Sequence, residues 1–408
     1  MLTQLSSRFR KLPIIGQIAA IVLPVLVVAA LVASLVGPYT PSLGSGKSDK
    51  ALSGPLSAKG SKLVDAHGRE VVLTGVNWFG FETETFAPHG LWARNWESML
   101  DQMVSSGFNT IRLPYTNEMF DADSKPTGIN YSLNPDLKGL RGVDLLDRIV
   151  KGATDRGLMV LLDRHRPTAQ SQTKLWYNEQ VSEERWIQDW TMLAKRYKNN
   201  PLVIGADLHN EPSGEATWGS GDRDTDWRLA AERAGNAILK VNPNWLIVVE
   251  GIEAYDNDYY WWGGNLMGVK EHPVRLSDPA KLVYSAHDYG PGVWQQSWFS
   301  DKDFPKNMPG IWKRHWGYIA EEGTAPVLLG EFGGRSVSPK TTEGIWHREL
   351  LNYLKKNGIS YTYWSWNPNS GDTGGVLRDD WKTVHKDKLE LLKTYQAPRL
   401  HTPAADQR

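Results

Sequence analysis

The sequence predicts an α/β protein built as a closed (β/α)8 TIM barrel with enlarged loops, and three observations lead there. Short runs rich in Val, Ile and Leu recur along the chain, and eight can be counted. Several are continuously apolar, the mark of strands buried on both faces as in a parallel sheet. Amphipathic stretches of helical period lie between them, and eight such units in a folded region of roughly 340 residues suit one large barrel. The competing arrangement is an open, doubly wound sheet. It is weakened because no Gly-x-Gly-x-x-Gly turn follows the first strand, which ends in Asn77, Trp78 and Phe79.

The chain opens with Arg8, Arg10 and Lys11 ahead of an apolar run from Leu12 to Val36, uncharged from Ile18 onward. A secretory core has about 7 to 15 apolar residues and a bilayer span about 20, so the length favours an uncleaved transmembrane anchor over residues 1–36. The positive charge ahead of the run puts the amino terminus in the cytoplasm and the rest outside, periplasmic or at the cell surface. Secretion after signal cleavage is the alternative. Residues 37–58, rich in Pro, Gly, Ser and Lys, read as a flexible linker. The barrel is expected over 59–396 and a short polar tail over 397–408.

Within the barrel, strands are expected at Val71 to Trp78, Thr110 to Pro114, Leu158 to Asp163, Leu202 to Leu208, Trp245 to Glu250, Leu282 to His287, Val327 to Glu331 and Ser360 to Trp366. Helices are expected at Trp96 to Ser105, Val143 to Arg156, Ser182 to Tyr197, Asp226 to Lys240 and Thr341 to Lys356.

Composition narrows the function. Lys plus Arg and Asp plus Glu both number 46 with no long basic run, which leaves no electrostatic footprint for nucleic acid. The absence of Cys excludes disulfides, thiolate nucleophiles and iron-sulfur sites. Nineteen Trp exceed what a core needs. Flat apolar faces with a polar edge suit sugar rings.

In a barrel of this kind the active site forms where the strands' carboxyl ends converge. The expected strand ends carry Asn77-Trp78, Arg112, Asp163-Arg164-His165, His209-Asn210-Glu211-Pro212, Glu250, His287-Asp288-Tyr289, Glu331 and Trp364-Ser365-Trp366. Aliphatic strand bodies thus finish in ionisable or aromatic residues, which packing alone does not require. Glycoside hydrolysis needs two carboxyl groups, one to protonate the leaving oxygen and one to meet the charge at the anomeric carbon. Glu211 after strand four and Glu331 after strand seven supply such a pair.

At this point the motifs resemble a known family. His209-Asn210-Glu211-Pro212, Leu329-Gly330-Glu331-Phe332-Gly333, Arg112 in Ile-Arg-Leu-Pro-Tyr, His165 in Asp-Arg-His-Arg-Pro, and His287 with Tyr289 resemble glycoside hydrolase family 5, most closely its actinobacterial endo-β-1,4-glucanase branch. The likeness runs in order from about Leu63 to Trp381. It implies a retaining endo-β-1,4-glucanase, a cellulase, that needs no cofactor or metal, takes a β-glucan chain as its partner and works as a monomer. It also implies that Glu211 is the acid/base and Glu331 the nucleophile. Arg112 and Tyr289 would then hydrogen-bond the nucleophile, Asn210 would contact the sugar 2-hydroxyl, and His165 and His287 would line the central subsite. Trp364 would form the floor at the cleavage point, with Trp78 and Trp262 flanking the cleft.

Other readings are weaker. Gly371-Asp372-Thr373-Gly374-Gly375 is not followed by Gly-Lys-Ser/Thr and reads as a cleft loop rather than a phosphate cradle. A metal site from Asp163, His165, His209 and His287 lacks the His pair such barrels often carry on the first strand. No Gly-x-Ser-x-Gly elbow ends a strand. The remaining rivals are a retaining endo-hydrolase of mannan, xyloglucan or mixed-linkage glucan, and a non-catalytic glycan-binding barrel.

Overall fold

The computed structural model describes residue 52 and residues 54–398 of the 408-residue chain. The anchor expected over 1–36 lies outside the described residues, as do most of the expected linker and tail. Among the described residues no helix is long and apolar enough to cross a membrane.

The first element is a small antiparallel sheet of β1 (Ser57–Lys59), β2 (Lys62–Val64) and β3 (Glu70–Val71). Eight parallel strands then close into a barrel: β4 (Thr74–Asn77), β5 (Thr110–Thr116), β6 (Met159–Arg166), β7 (Val203–Asp207), β8 (Leu246–Glu250), β11 (Leu282–His287), β12 (Val327–Glu331) and β13 (Ser360–Tyr363). Between β8 and β11 lies a hairpin of β9 (Ala254–Tyr255) and β10 (Asp258–Tyr259).

The long helices, Trp96–Ser105, Gly142–Asp155, Glu183–Arg196, Trp227–Val241 and Thr342–Asn357, fall where the periodicity put them. Their ends follow capping chemistry. Asn95, Ser182, Asp226 and Thr341 sit just outside four of them in extended backbone, and each side-chain oxygen accepts an otherwise unpaired N–H of the first turn. Gly358, at φ +64°, stops the last in a left-handed turn.

The repeat is imperfect in ways the sequence reading missed. The expected first strand splits, because the Asn109 side chain takes the carbonyl of Val72 and the N–H of Thr74, both at 2.8 Å, and turns the chain from the small sheet into the barrel. After β8 the crossover has no long helix. It passes through the hairpin and the short turns Met267–Lys270 and Pro279–Lys281. After β11 it uses Met308–Trp312 and Tyr318–Glu321, joined by a π-helical turn over Lys313–Gly317.

The linker boundary also needs correction. Leu52 and Leu56 are buried, and with Leu63, Val71 and Leu73 they join Met159, Leu161, Ile204, Leu246, Val248, Val283 and Leu328 in one apolar cluster. The end of the expected linker therefore packs under the barrel, and Ser57 and Ala58 already pair in β1. The same strand faces change character further along. Met159 and Leu161 are followed at period two by Asp163 and His165, and Leu246 and Val248 by Glu250. The barrel interior is thus hydrophobic at one end and ionisable at the other.

Leu56→Ala should lower unfolding stability by about 2 to 4 kcal/mol, as other buried Leu truncations do, read from urea denaturation. A loss below about 0.5 kcal/mol would place Leu56 outside the cooperative core.

Candidate active site

The ionisable end is organised by Arg112, which projects from β5 and is wholly buried. Its Nε donates to Asp207 Oδ2 at 2.8 Å, Nη1 to Asn77 Oδ1 at 2.9 Å and to Glu331 Oε1 at 2.7 Å, and Nη2 to Asn210 Oδ1 at 2.9 Å and Glu250 Oε1 at 3.1 Å. Asp163 Oδ2 lies 3.1 Å from Nη1. One guanidinium therefore faces Asp163, Asp207, Glu250 and Glu331. Its charge cannot balance four anions, and burial makes the difference costly.

Protons make up the deficit. Burial raises the pKa of Asp163 to about 6, and those of Asp207 and Glu250 to about 7, against the opposing pull of Arg112. Burial alone would lower the pKa of His287, but Glu250 and Glu331 outweigh it and the imidazole is held well above its ordinary value. Its Nδ1 is 3.0 Å from Glu211 Oε1 and 3.6 Å from Glu331 Oε2, and its Nε2 is 3.3 Å from Glu250 Oε1.

Glu331, at the end of β12, accepts Tyr289 Oη at 2.6 Å on the oxygen opposite to the one Arg112 holds. Burial keeps the Tyr289 phenol protonated far beyond its usual range, so it donates. Glu211 follows β7. An oxygen of Glu211, an oxygen of Glu331 and a His287 nitrogen all lie within 4.8 Å of one another. Carboxyl groups in retaining glycosidases stand about 5 to 5.5 Å apart, and those in inverting enzymes about 6.5 to 9.5 Å.

These groups open into a cleft of about 750 Å³ lined by His165, Glu211, Trp262, Tyr289, Trp294, Glu331 and Trp364, among others. His165 Nδ1 is 2.7 Å from Asp163 Oδ2, and burial lowers its pKa to about 3, so it donates there as a neutral ring. The Trp364 indole lies parallel to the rings of His165, with centroids 5.5 Å apart, and of Phe79, at 5.2 Å. Its Nε1 donates to Ser370 Oγ at 3.2 Å, and Ser370 lines the same cleft together with Asp372 of the Gly-rich segment that follows it. Trp262 and Trp294 are half and largely exposed.

The structure brings together Glu211, Glu331, Arg112, Asn210, His287, Tyr289, His165 and Trp364, with Trp262 further along the cleft. Trp78 is the exception. Asn77 points inward to Arg112, so strand alternation turns Trp78 outward, where it is fully buried and donates from Nε1 to the carbonyl of His89 at 3.1 Å. Its neighbour Phe79 instead packs against Trp364. His209 is likewise directed away, its Nδ1 accepting from Arg164 at 2.9 Å, so the four-residue metal set is not assembled. Trp294 was not foreseen, for it stands in a long loop without periodic pattern. Asp207, the last residue of an aliphatic strand, carried no motif.

Two carboxyl groups this close, beside a groove lined with indoles, suit the breaking of a glycosidic bond. Fold and site together define a glycoside hydrolase of the barrel type. A family model described as cellulase, glycosyl hydrolase family 5, matches residues 64–370, and the chain belongs to that family. It is 53% identical over 363 residues to an endoglucanase of Paenibacillus polymyxa, covering 88% of this chain and 91% of that protein. It is 48% identical over 339 residues to the major extracellular endoglucanase of Xanthomonas campestris pv. campestris, covering 82% and 69%. The solved catalytic domain of the latter superposes with a TM-score of 0.79 at 47% identity, covering 83% of this chain and 99% of that one. A variant endocellulase of Pyrococcus horikoshii, solved with cellotetraose, also gives 0.79, at 44% identity with 85% and 99% covered.

The proton count makes a prediction. Asp163, Asp207 and Glu250 have pKa values raised from about 4, and His287 is raised as well, so at these four sites the folded chain binds more protons than the unfolded one at neutral pH. The stability the three carboxyl groups contribute is complete below about pH 4 and is lost as pH rises through about 6 to 7, and that of His287 begins to fall only above its ordinary value of about 6.5. The urea midpoint should therefore be higher at pH 5 than at pH 8; a midpoint that rises over that interval would contradict the assignment.

Proposed function

We propose that this protein is a retaining endo-β-1,4-glucanase, and the observation that carries the reading is the proximity of Glu211 and Glu331 in the aromatic-lined cleft. Glu331 is the nucleophile. Arg112 and Tyr289 donate to its two oxygens and fix its orientation for attack on the anomeric carbon. Glu211 protonates the leaving oxygen as the glycosyl-enzyme bond forms, then takes a proton from the water that breaks it. His287 lies within proton-transfer distance of Glu211.

Asn210 gives its side-chain oxygen to Arg112. Its amide N–H groups are left to donate to the sugar 2-hydroxyl, a contact that strengthens as positive charge develops on the ring. Trp262, Trp294 and Trp364 offer apolar faces to successive rings of an extended chain, which favours attack at internal bonds. The endoglucanases and endocellulases to which the chain is similar support β-1,4-glucan as substrate. A panel of soluble polysaccharides separates this from mannan, xyloglucan and mixed-linkage glucan. The likeness to the actinobacterial branch stays within the proposal, since the two endoglucanases named above come from Paenibacillus and Xanthomonas. So do a monomeric state and a barrel held outside the cytoplasm by residues 1–36, which fractionation with sequencing of the mature amino terminus would test.

Glu331→Gln should reduce turnover by about 10⁴-fold or more while oligosaccharide binding and the melting temperature stay near wild type. Near-normal activity would remove Glu331 from the nucleophile's role. Proton NMR of the first-formed sugar should show the β anomer; an initial α anomer would mean inversion.

A further inference from the structure

We propose that Glu250 is a positioning residue for the proton donor, holding Glu211 in the backbone conformation from which its carboxyl faces the cleft. The inference rests on reading Glu211 as the acid. Glu211 has φ +55°, a left-handed region that residues other than glycine rarely enter. Something must hold it there. Glu250 Oε2 accepts the Glu211 N–H at 2.7 Å, while Gln172 Nε2 donates at 2.9 Å to the carbonyl of Asn210. Both polar ends of the single peptide group joining Asn210 to Glu211 are thereby pinned, and the tilt of that plane sets the direction in which the Glu211 side chain departs.

Glu250 is suited to this and to little else. It is wholly buried at the end of β8 and does not line the cleft, so it cannot touch substrate. Its other oxygen accepts Arg112 Nη2 at 3.1 Å and lies 3.3 Å from His287 Nε2. Both oxygens thus face donors, and a carboxyl group, with two oxygens able to accept, meets them where an amide, with one acceptor oxygen, does not. Room has been left for the arrangement at Gly263. A Cβ there would come within 2.3 Å of Glu250 Oε2 and 3.2 Å of Glu211 Cα, and the residue's φ is +67°.

The test is leaving-group dependence. Dinitrophenolate departs without protonation, whereas a sugar alcohol needs the acid, so kcat/KM on 2,4-dinitrophenyl β-cellobioside and on cellotetraose separates acid catalysis from nucleophilic attack. Glu250→Gln should lower kcat/KM on cellotetraose by about 100-fold and on the dinitrophenyl glycoside by less than about 5-fold. Gly263→Ala, which crowds the same carboxylate, should show the same split and serves if the Gln variant does not fold. Equal losses on both substrates would overturn the inference, since Glu250 would then act through Arg112 on the nucleophile; so would wild-type values on both. Glu211→Gln is the reference. If it shows the split and Glu250→Gln does not, the inference alone fails. If Glu211→Gln loses both substrates equally, the reading of Glu211 as the acid falls and the inference with it.

Discussion

Arg112 is the constraint around which the catalytic end of the molecule is arranged. This fully buried cation touches Asp163, Asp207, Glu250 and Glu331, and among the described residues it is the only permanent positive charge in contact with these four carboxyl groups. Removing one partner of a buried ion pair leaves an uncompensated charge and costs about 3 to 5 kcal/mol, far more than an exposed pair contributes. The cluster therefore has little freedom to rearrange. Its rigidity suits the role proposed for Glu331, because a carboxyl group held by two donors on opposite oxygens keeps its orientation from one turnover to the next.

The cluster also divides labour among acidic residues that the sequence makes look alike. Asp163 accepts from His165 and so fixes which nitrogen of that ring faces the cleft. Asp207 is spent on Arg112 itself. Glu331 is both bound and close to the opening, and only Glu211 is left partly exposed. Burial sorts these roles by penalising ionisation most where water is absent. The protons so retained, with the cationic His287, offset much of the excess negative charge.

Two layers of packing keep the polar end in place. The apolar plug at the opposite end, with Leu52 and Leu56 from the segment preceding the barrel, closes the interior to water. Around the outside, buried indoles anchor the loops by single hydrogen bonds: Trp186 and Trp190 both donate to the carbonyl of Leu208, and Trp227 to that of Glu250. Most of the tryptophans are buried and therefore structural, three of them holding the ends of the strands beside Asn210 and Glu211, and only a minority meets the cleft.

The sequence by itself determined the places of the eight barrel strands, because several of the runs are apolar on both faces, few other arrangements bury such runs, and the remaining ones fall in the same repeat. It also determined which strand ends carry chemistry, since polarity at the end of an aliphatic run has no packing reason to be there. What it left open depended on contacts between distant segments. Whether Trp78 or Phe79 packs against Trp364 turned on Asn77 facing Arg112 across 35 positions of sequence. Trp294 came into the cleft through a loop whose path no periodicity records. The left-handed turn at Glu211 exists because Glu250 and Gln172, far from it in the chain, hold the two ends of one peptide group. Local patterns fix which face a side chain takes within an element; only closure of the barrel decides which faces meet.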